Sequence, residues 1–362
     1  MKKLKALIVV LAVALALVGC SSTTDTAEET SKVLRVAAPG DVLSLDSSIA
    51  TDGFSFEVIT SFHEGLVKYD ANDNIQTAVA TDWTISEDGT EYIFNLDPNA
   101  VWSNGDAVTA NDFVFAWRRL ADPANASEYA IMLQTAHILN ATAIISGEMG
   151  TDQLGVEAVD EHTLKVSLDS SVPYFEKLMT FPSFLPLNEA FVTEQGASYA
   201  TSPETLLSNG PFVLTEWVQG SLLVTAKNET FVGAANVAID GVEWHIIAEA
   251  QTLSLEYEQG NLDVAAMTGD LVETYIDTED FTQILKGYTW YLPFNQNSDN
   301  PAMSNENFRL AIAWAFDRAF LVDDKLNDGS VVAAGFVPIK LASGPTGNDF
   351  RTDAPVYFGY DV

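Results

Sequence analysis

Apolar and polar residues alternate with period two from Glu91 to Leu96, where Tyr92, Phe94 and Leu96 interleave with Glu91, Ile93 and Asn95, and this predicts a strand with one buried face. The preceding residues 82–85 reach it through Asp88-Gly89, a turn pair that closes hairpins. Leu164, Val166 and Leu168 repeat the alternation against Thr163, Lys165 and Ser167. A short apolar run at 33–38 reads as a further strand. Residues 212–218 and 222–227 form a second hairpin through Gln219-Gly220, opened by Asn209-Gly210-Pro211. Strands at 242–247 and 262–266 flank a helical pattern over 249–259 that Gly260 stops, a strand-helix-strand unit suited to a parallel sheet. One more strand is expected at 289–294.

Helical spacing appears where the period lengthens. Phe54, Val58, Ile59 and Phe62 share one face. Thr109 and Asp112 have the spacing of a capping box, Phe113, Trp117 and Leu120 follow at i, i+4 and i+7, and Pro123 ends the helix. Ser304 is the expected cap of a helix carrying Phe308, Ala311, Ile312, Ala315, Phe316 and Ala319 along one stripe, which reads as core packing. At the start of the chain, Lys2, Lys3 and Lys5 precede an apolar run over 6–18 that is short for a bilayer span. It ends in Leu17-Val18-Gly19-Cys20, the pattern of a bacterial lipoprotein signal: residues 1–19 removed, Cys20 acylated on its thiol, and the Ser/Thr/Glu-rich residues 20–31 serving as a flexible tether. An uncleaved anchor with an incidental cysteine is the competing reading.

A length of 362 residues accommodates two or three domains with substantial cores. The formal net charge of −34, from 17 Lys+Arg against 51 Asp+Glu, repels nucleic acid and anionic membrane surfaces and suits a secreted, soluble surface. Cys20 is the only cysteine, so the folded part can build neither a disulfide nor a thiolate cluster. The histidines 63, 137, 162 and 245 lack metal-ligand spacing, and no metal or other cofactor is expected. Asp70-Ala71-Asn72-Asp73-Asn74 opens like a calcium loop, but Ile75 stands where glycine is needed, and a solvated turn is the better reading. No nucleophile elbow, phosphate loop or H-E-x-x-H helix occurs. Acidic pairs such as Glu157/Asp160 and Asp323/Asp324 are expected by chance at this acid content, so the chain reads as a binder rather than an enzyme.

The succession W-x-x-S-E-D-G-T-x-Y-x-F-x-L (83–96), W-S-N-G (102–105) and V-T-A-N-D-F-V-F-A-W-R-R-L-A-D-P (108–123) resembles the family-5 extracytoplasmic solute-binding proteins of oligopeptide ABC importers. Residues 121–130, 155–166 and 172–178 and the Phe308-Arg309 to Asp317-Arg318 run extend the likeness. Departures include Asn104 for an aspartate, Ser47 for a proline after Asp46, and Glu229-Thr230-Phe231-Val232 for a proline and an aromatic pair. The resemblance implies an α/β, two-lobed periplasmic-binding-protein fold of type II. Residues 32–63 and 189–290 would form lobe 1, 64–188 a sheet-rich subdomain on its side, and 291–362 an incomplete lobe 2, the family's anchors for the ligand termini falling beyond Val362. It also implies oligopeptide ligands, delivery to ABC permease subunits, a monomer, and a place on the outer face of the cell membrane through lipidated Cys20. Strand-pairing positions fall on Thr51, Asp52 and Gly53, a ligand neighbour on Tyr129, and wall and crossover positions on Met267, Thr268, Trp290 and Tyr291, with Met267 and Thr268 replacing asparagines. Read without the family, Trp290 and Tyr291 are equally core aromatics and Asp52-Gly53 a plain turn. The alternatives at the level of function are a peptide-pheromone receptor on the same fold and a non-functional truncated fragment.

Overall fold

Two four-stranded sheets drawn from different parts of the chain organise the computed structural model, which describes residues 32–356 and residue 359. The lipoprotein signal, Cys20 and the tether lie outside the described residues. In chain order the elements used below are β1 (Val33–Ala38), α1 (Gly53–Phe62), β2 (Val67–Tyr69), β3 (Ile75–Thr77), β4 (Ala80–Ile85), β5 (Glu91–Leu96), α2 (Ala110–Ala121), β6 (Val156–Asp160) and β7 (Thr163–Ser167). They continue with β8 (Phe212–Val218), β9 (Leu222–Lys227), β10 (Gly241–Ile246), α3 (Ala250–Glu258) and α4 (Glu306–Ala315).

The first sheet has the order β1-β10-β9-β8, with β1 parallel to β10 and the other pairs antiparallel. The second, β4-β5-β7-β6, is antiparallel throughout. Strands β2 and β3 make a separate ribbon around the turn at Asp70, whose Oδ1 accepts from the backbone N–H groups of Asn72 and Asn74, so this segment is the solvated turn expected. The alternation in β5 and β7 becomes burial: Phe94, Leu164 and Val166 are fully buried and Tyr92 nearly so. Behind them lies α2, with Phe113, Trp117 and Leu120 buried and the Trp117 indole donating to the Phe184 carbonyl at 3.0 Å. Asp112 holds the start of α2 by accepting from the Thr109 N–H at 2.7 Å. One hydrophobic core runs from Ala38 in β1 through α1, α2 and the second sheet to Trp244 in β10.

Four expectations fail in the later part of the chain. Residues 262–266 contribute only a bridge between Val264 and Val36, because Asp263 Oδ2 accepts the Arg35 N–H that a continuing parallel ladder would need. Residues 289–294 form no strand; a strand needs a neighbour for its backbone, and among the described residues this segment has none, leaving Trp290, Tyr291 and Leu292 64–87% exposed. The cap of α4 is Asn305, whose Oδ1 accepts from Asn307 and Phe308, while Ser304 ends a short preceding helix. Helix α4 stops at Ala315 and its stripe stays open rather than forming core, with Phe308, Ile312 and Phe316 each more than a third exposed.

Candidate ligand-binding cleft

A cleft of about 2190 Å³ opens where β1 and β10 end. In an open sheet with parallel strands this is the end at which loops diverge and leave a crevice. It is lined by Ala38, the first turn of α1, residues 263–268, 281–292 and 328–339, and Glu306, Arg309, Leu310, Ile312 and Ala313 of α4. The walls are largely apolar. Tyr288, Trp290, Tyr291, Leu292 and Phe336 are all 64–87% exposed, and the Tyr291 and Phe336 rings meet at 5.5 Å between centroids. So Trp290 and Tyr291 are not core aromatics.

Helix α1 contributes to the lining. Asp52 is its N-cap rather than part of a plain turn, Oδ1 accepting from the Ser55 N–H at 2.8 Å, while Oδ2 is buried with no partner among the described residues. Gly53, Phe54 and Glu57 line the cleft, and the Gly53 side of the helix comes so close to Tyr288 that a Cβ there would sit 3.7 Å from its hydroxyl. Glu57 Oε1 accepts from the Trp244 indole at 3.3 Å. Asp263, also on the lining, is already committed to Arg35 through a pair of side-chain bonds at 2.7 and 3.0 Å. The hydrogen bond to Arg35 holds the Asp263 carboxyl below its usual range, and its reciprocal raises Arg35. Between Val264 and Gly269, residues 265–268 make no hydrogen bond among the described residues, though they border the cleft.

Of the residues expected from the sequence, Gly53, Met267, Thr268, Trp290 and Tyr291 come together on the cleft, with Thr51 and Asp52 immediately behind Gly53. Tyr129 does not reach it. Its ring packs against Phe56 of α1 and Phe181, at 5.1 and 5.2 Å between centroids. Sequence reasoning missed Tyr288, Glu57 and Phe336. Tyr288 was within reach, since Tyr288, Trp290 and Leu292 repeat every second residue; Glu57 and Phe336 carry no local signal. The described histidines are dispersed, His137 against Asp169, His245 against Glu243 and His63 buried, and among the described residues no group of three or more potential ligands could hold a metal.

The family profile for bacterial extracellular solute-binding proteins, family 5 Middle, matches residues 74–362. The chain belongs to that family. This family-5 protein is 34% identical over 361 residues to the dipeptide-binding protein of Lactococcus lactis subsp. cremoris, a match covering 95% of this chain and 64% of the relative. Its fold superposes on Listeria monocytogenes OppA bound to peptide with a TM-score of 0.85 at 32% identity, over 92% of this chain and 66% of that one. The pheromone receptor PrgZ gives a TM-score of 0.86 at 30% identity, over 91% and 66%. The α/β, type II solute-binding fold expected from the sequence therefore holds, and the chain spans just under two thirds of the length of these relatives. Among the described residues of the family-5 chain, no helix is long and apolar enough to cross a membrane.

Proposed function

We propose that this family-5 chain captures oligopeptides outside the cytoplasm for delivery to the permease of an ABC importer, working as a monomer held to the membrane by lipid on Cys20. The observation that carries the reading is the backbone of residues 265–268, which makes no hydrogen bond among the described residues, on an apolar cleft. An exposed strand-like edge of this kind recruits an extended peptide through main-chain donors and acceptors that every peptide offers. Thr51, Asp52 and Gly53 would pair the ligand at the start of α1, Met267 and Thr268 would flank it, and Trp290 and Tyr291 would cover it with exposed aromatic surface. Tyr129 would act by holding Phe56 and so the outer face of α1. In this reading residues 32–63 and 189–290 constitute one lobe, 64–188 its sheet-rich subdomain and 291–362 part of the second lobe. The likeness to PrgZ, described as a pheromone receptor, supports a second reading in which one peptide is bound for signalling.

Titration calorimetry with a library of tri- to pentapeptides tests both. Binding of many unrelated sequences is expected for the import reading, and one sequence alone would favour the signalling reading. No heat with any peptide, from protein whose circular dichroism shows it folded, would overturn both. Because Trp290 is 87% exposed, Trp290→Ala should leave stability within about 0.5 kcal/mol while weakening peptide binding about tenfold.

A further inference from the structure

Between β1 and α1 the chain makes a buried loop that ends in the cleft wall. Leu45, Asp46, Ser47, Ser48 and Ala50 are at most 4% exposed. Asp46 organises this loop: its Oδ1 accepts from the Ser48 N–H at 3.0 Å, and its carbonyl accepts from Ile49 and Ala50 at 3.0 and 2.9 Å. At the other end of the loop, Ser55 Oγ accepts from the Leu43 N–H at 3.0 Å, and Asp52 caps α1. The loop and the first turn of α1 are therefore joined by hydrogen bonds.

Among the described residues, the charged partner of Asp46 comes from far away in the chain. Arg119, in the last turn of α2, donates Nη1 to Asp46 Oδ1 at 2.8 Å and Nη2 to Oδ2 at 2.7 Å, a two-pronged pair with the side chains 19% and 5% exposed. Its guanidinium lies 5.9 Å from the centre of the buried Tyr199 ring. A buried ion pair is a weak source of net stability, because desolvation of both charges offsets their attraction. What the two-pronged geometry does supply is orientation: a planar fork fixes both carboxylate oxygens, which a lysine ammonium cannot do.

We propose that Arg119 is a positioning residue for ligand binding, which sets the first turn of α1 against the cleft by clamping Asp46 and through it residues 48–53. The binding half of this inference rests on the peptide-capture reading above; the clamp itself does not. The test compares the wild-type chain with Arg119→Lys and with Arg119→Met, the second removing the charge while keeping a long side chain in case lysine fails to fold. Hydrogen exchange without peptide is read first. The expected result is exchange at least about tenfold faster at the amides of Ser48, Ile49, Ala50 and Ser55, with strands β5 and β7 unchanged. Calorimetry with a peptide that binds the wild type should then show about tenfold weaker affinity. A merely structural role would speed exchange in β5 and β7 together with the loop, and that uniform change overturns the proposal, as does unchanged exchange in both variants. If the loop loosens selectively and no peptide binds even the wild type, the clamp stands and the peptide-capture reading falls.

Discussion

His63 is 3% exposed, wedged against Phe62 and Trp102 at 4.8 and 5.9 Å between ring centres, and neither ring nitrogen reaches a well-formed hydrogen bond among the described residues. Burial pushes it down to about 3, against only a weak opposing contribution from the Leu207 backbone. The folded state thus keeps the ring neutral while the unfolded chain protonates near 6.5, so the unfolded state binds more protons between those values and stability falls on acidification. In urea titrations from pH 7 to 4, the wild type should lose about 1.4 kcal/mol per pH unit below about 6.5 relative to His63→Leu. Parallel pH profiles for the two proteins would contradict this. Asp112 acts in the opposite sense. Burial raises it to about 6, with the Thr109 backbone and then the Trp102 indole opposing, so its protonated form stabilises the fold below 3.8 and that contribution is lost as pH rises through about 6. The stability difference between wild type and Asp112→Asn should therefore shift in the variant's favour between those two values. Elsewhere aspartates serve as turn caps: the Asn74 backbone lowers Asp70, the Ser86 hydroxyl lowers Asp88 and the His162 backbone lowers Asp160. Local spacing revealed the Asp88-Gly89 turn, but not the pairing of Asp46 with Arg119, which joins residues 73 apart.

At the scale of elements, period-two alternation located β5 and β7 and turn residues located the β8–β9 hairpin, because each strand has one face on the core and a backbone neighbour. The strand expected at residues 289–294 is absent for a physical reason: a strand needs backbone partners, and among the described residues this segment has none and lies on the cleft instead. The stripe of α4 misled in the same way, since an apolar face declares that something covers it and not that the covering is core. Glycine placement reveals where strands approach. A Cβ on Gly241 would lie 2.1 Å from the Thr225 carbonyl of β9, where Thr225 Oγ1 already bridges to Val242. Gly241→Ala should wedge β10 from β9 and destabilise by about 1–3 kcal/mol, whereas Gly40→Ala, with nothing within 4 Å, should stay within about 0.5 kcal/mol. Equal urea midpoints for the two variants would show that β9 and β10 yield more easily than their register implies.

For the molecule as a whole, the cleft became legible only when sequence likeness and geometry were combined. Net charge disfavours nucleic acid as a partner, but it does not point to residues 265–268, whose relevance lies in the hydrogen bonds they do not make among the described residues. The meeting of Gly53 and Trp290 on one cleft depends on β1, β10 and α1 converging through contacts that no local pattern encodes. At the membrane end, Cys20→Ser should abolish incorporation of labelled palmitate and release the protein from the membrane fraction; retained label would sink the lipoprotein assignment. The central claim, that an extended peptide adds to the open backbone of the cleft, is tested most directly by hydrogen exchange of the intact chain with and without a saturating mixture of tri- to pentapeptides. The account predicts slowed exchange at residues 265–268 and 288–292 and at the start of α1, with β4 to β7 unaffected. Unchanged exchange at 265–268 while peptide is bound would contradict it.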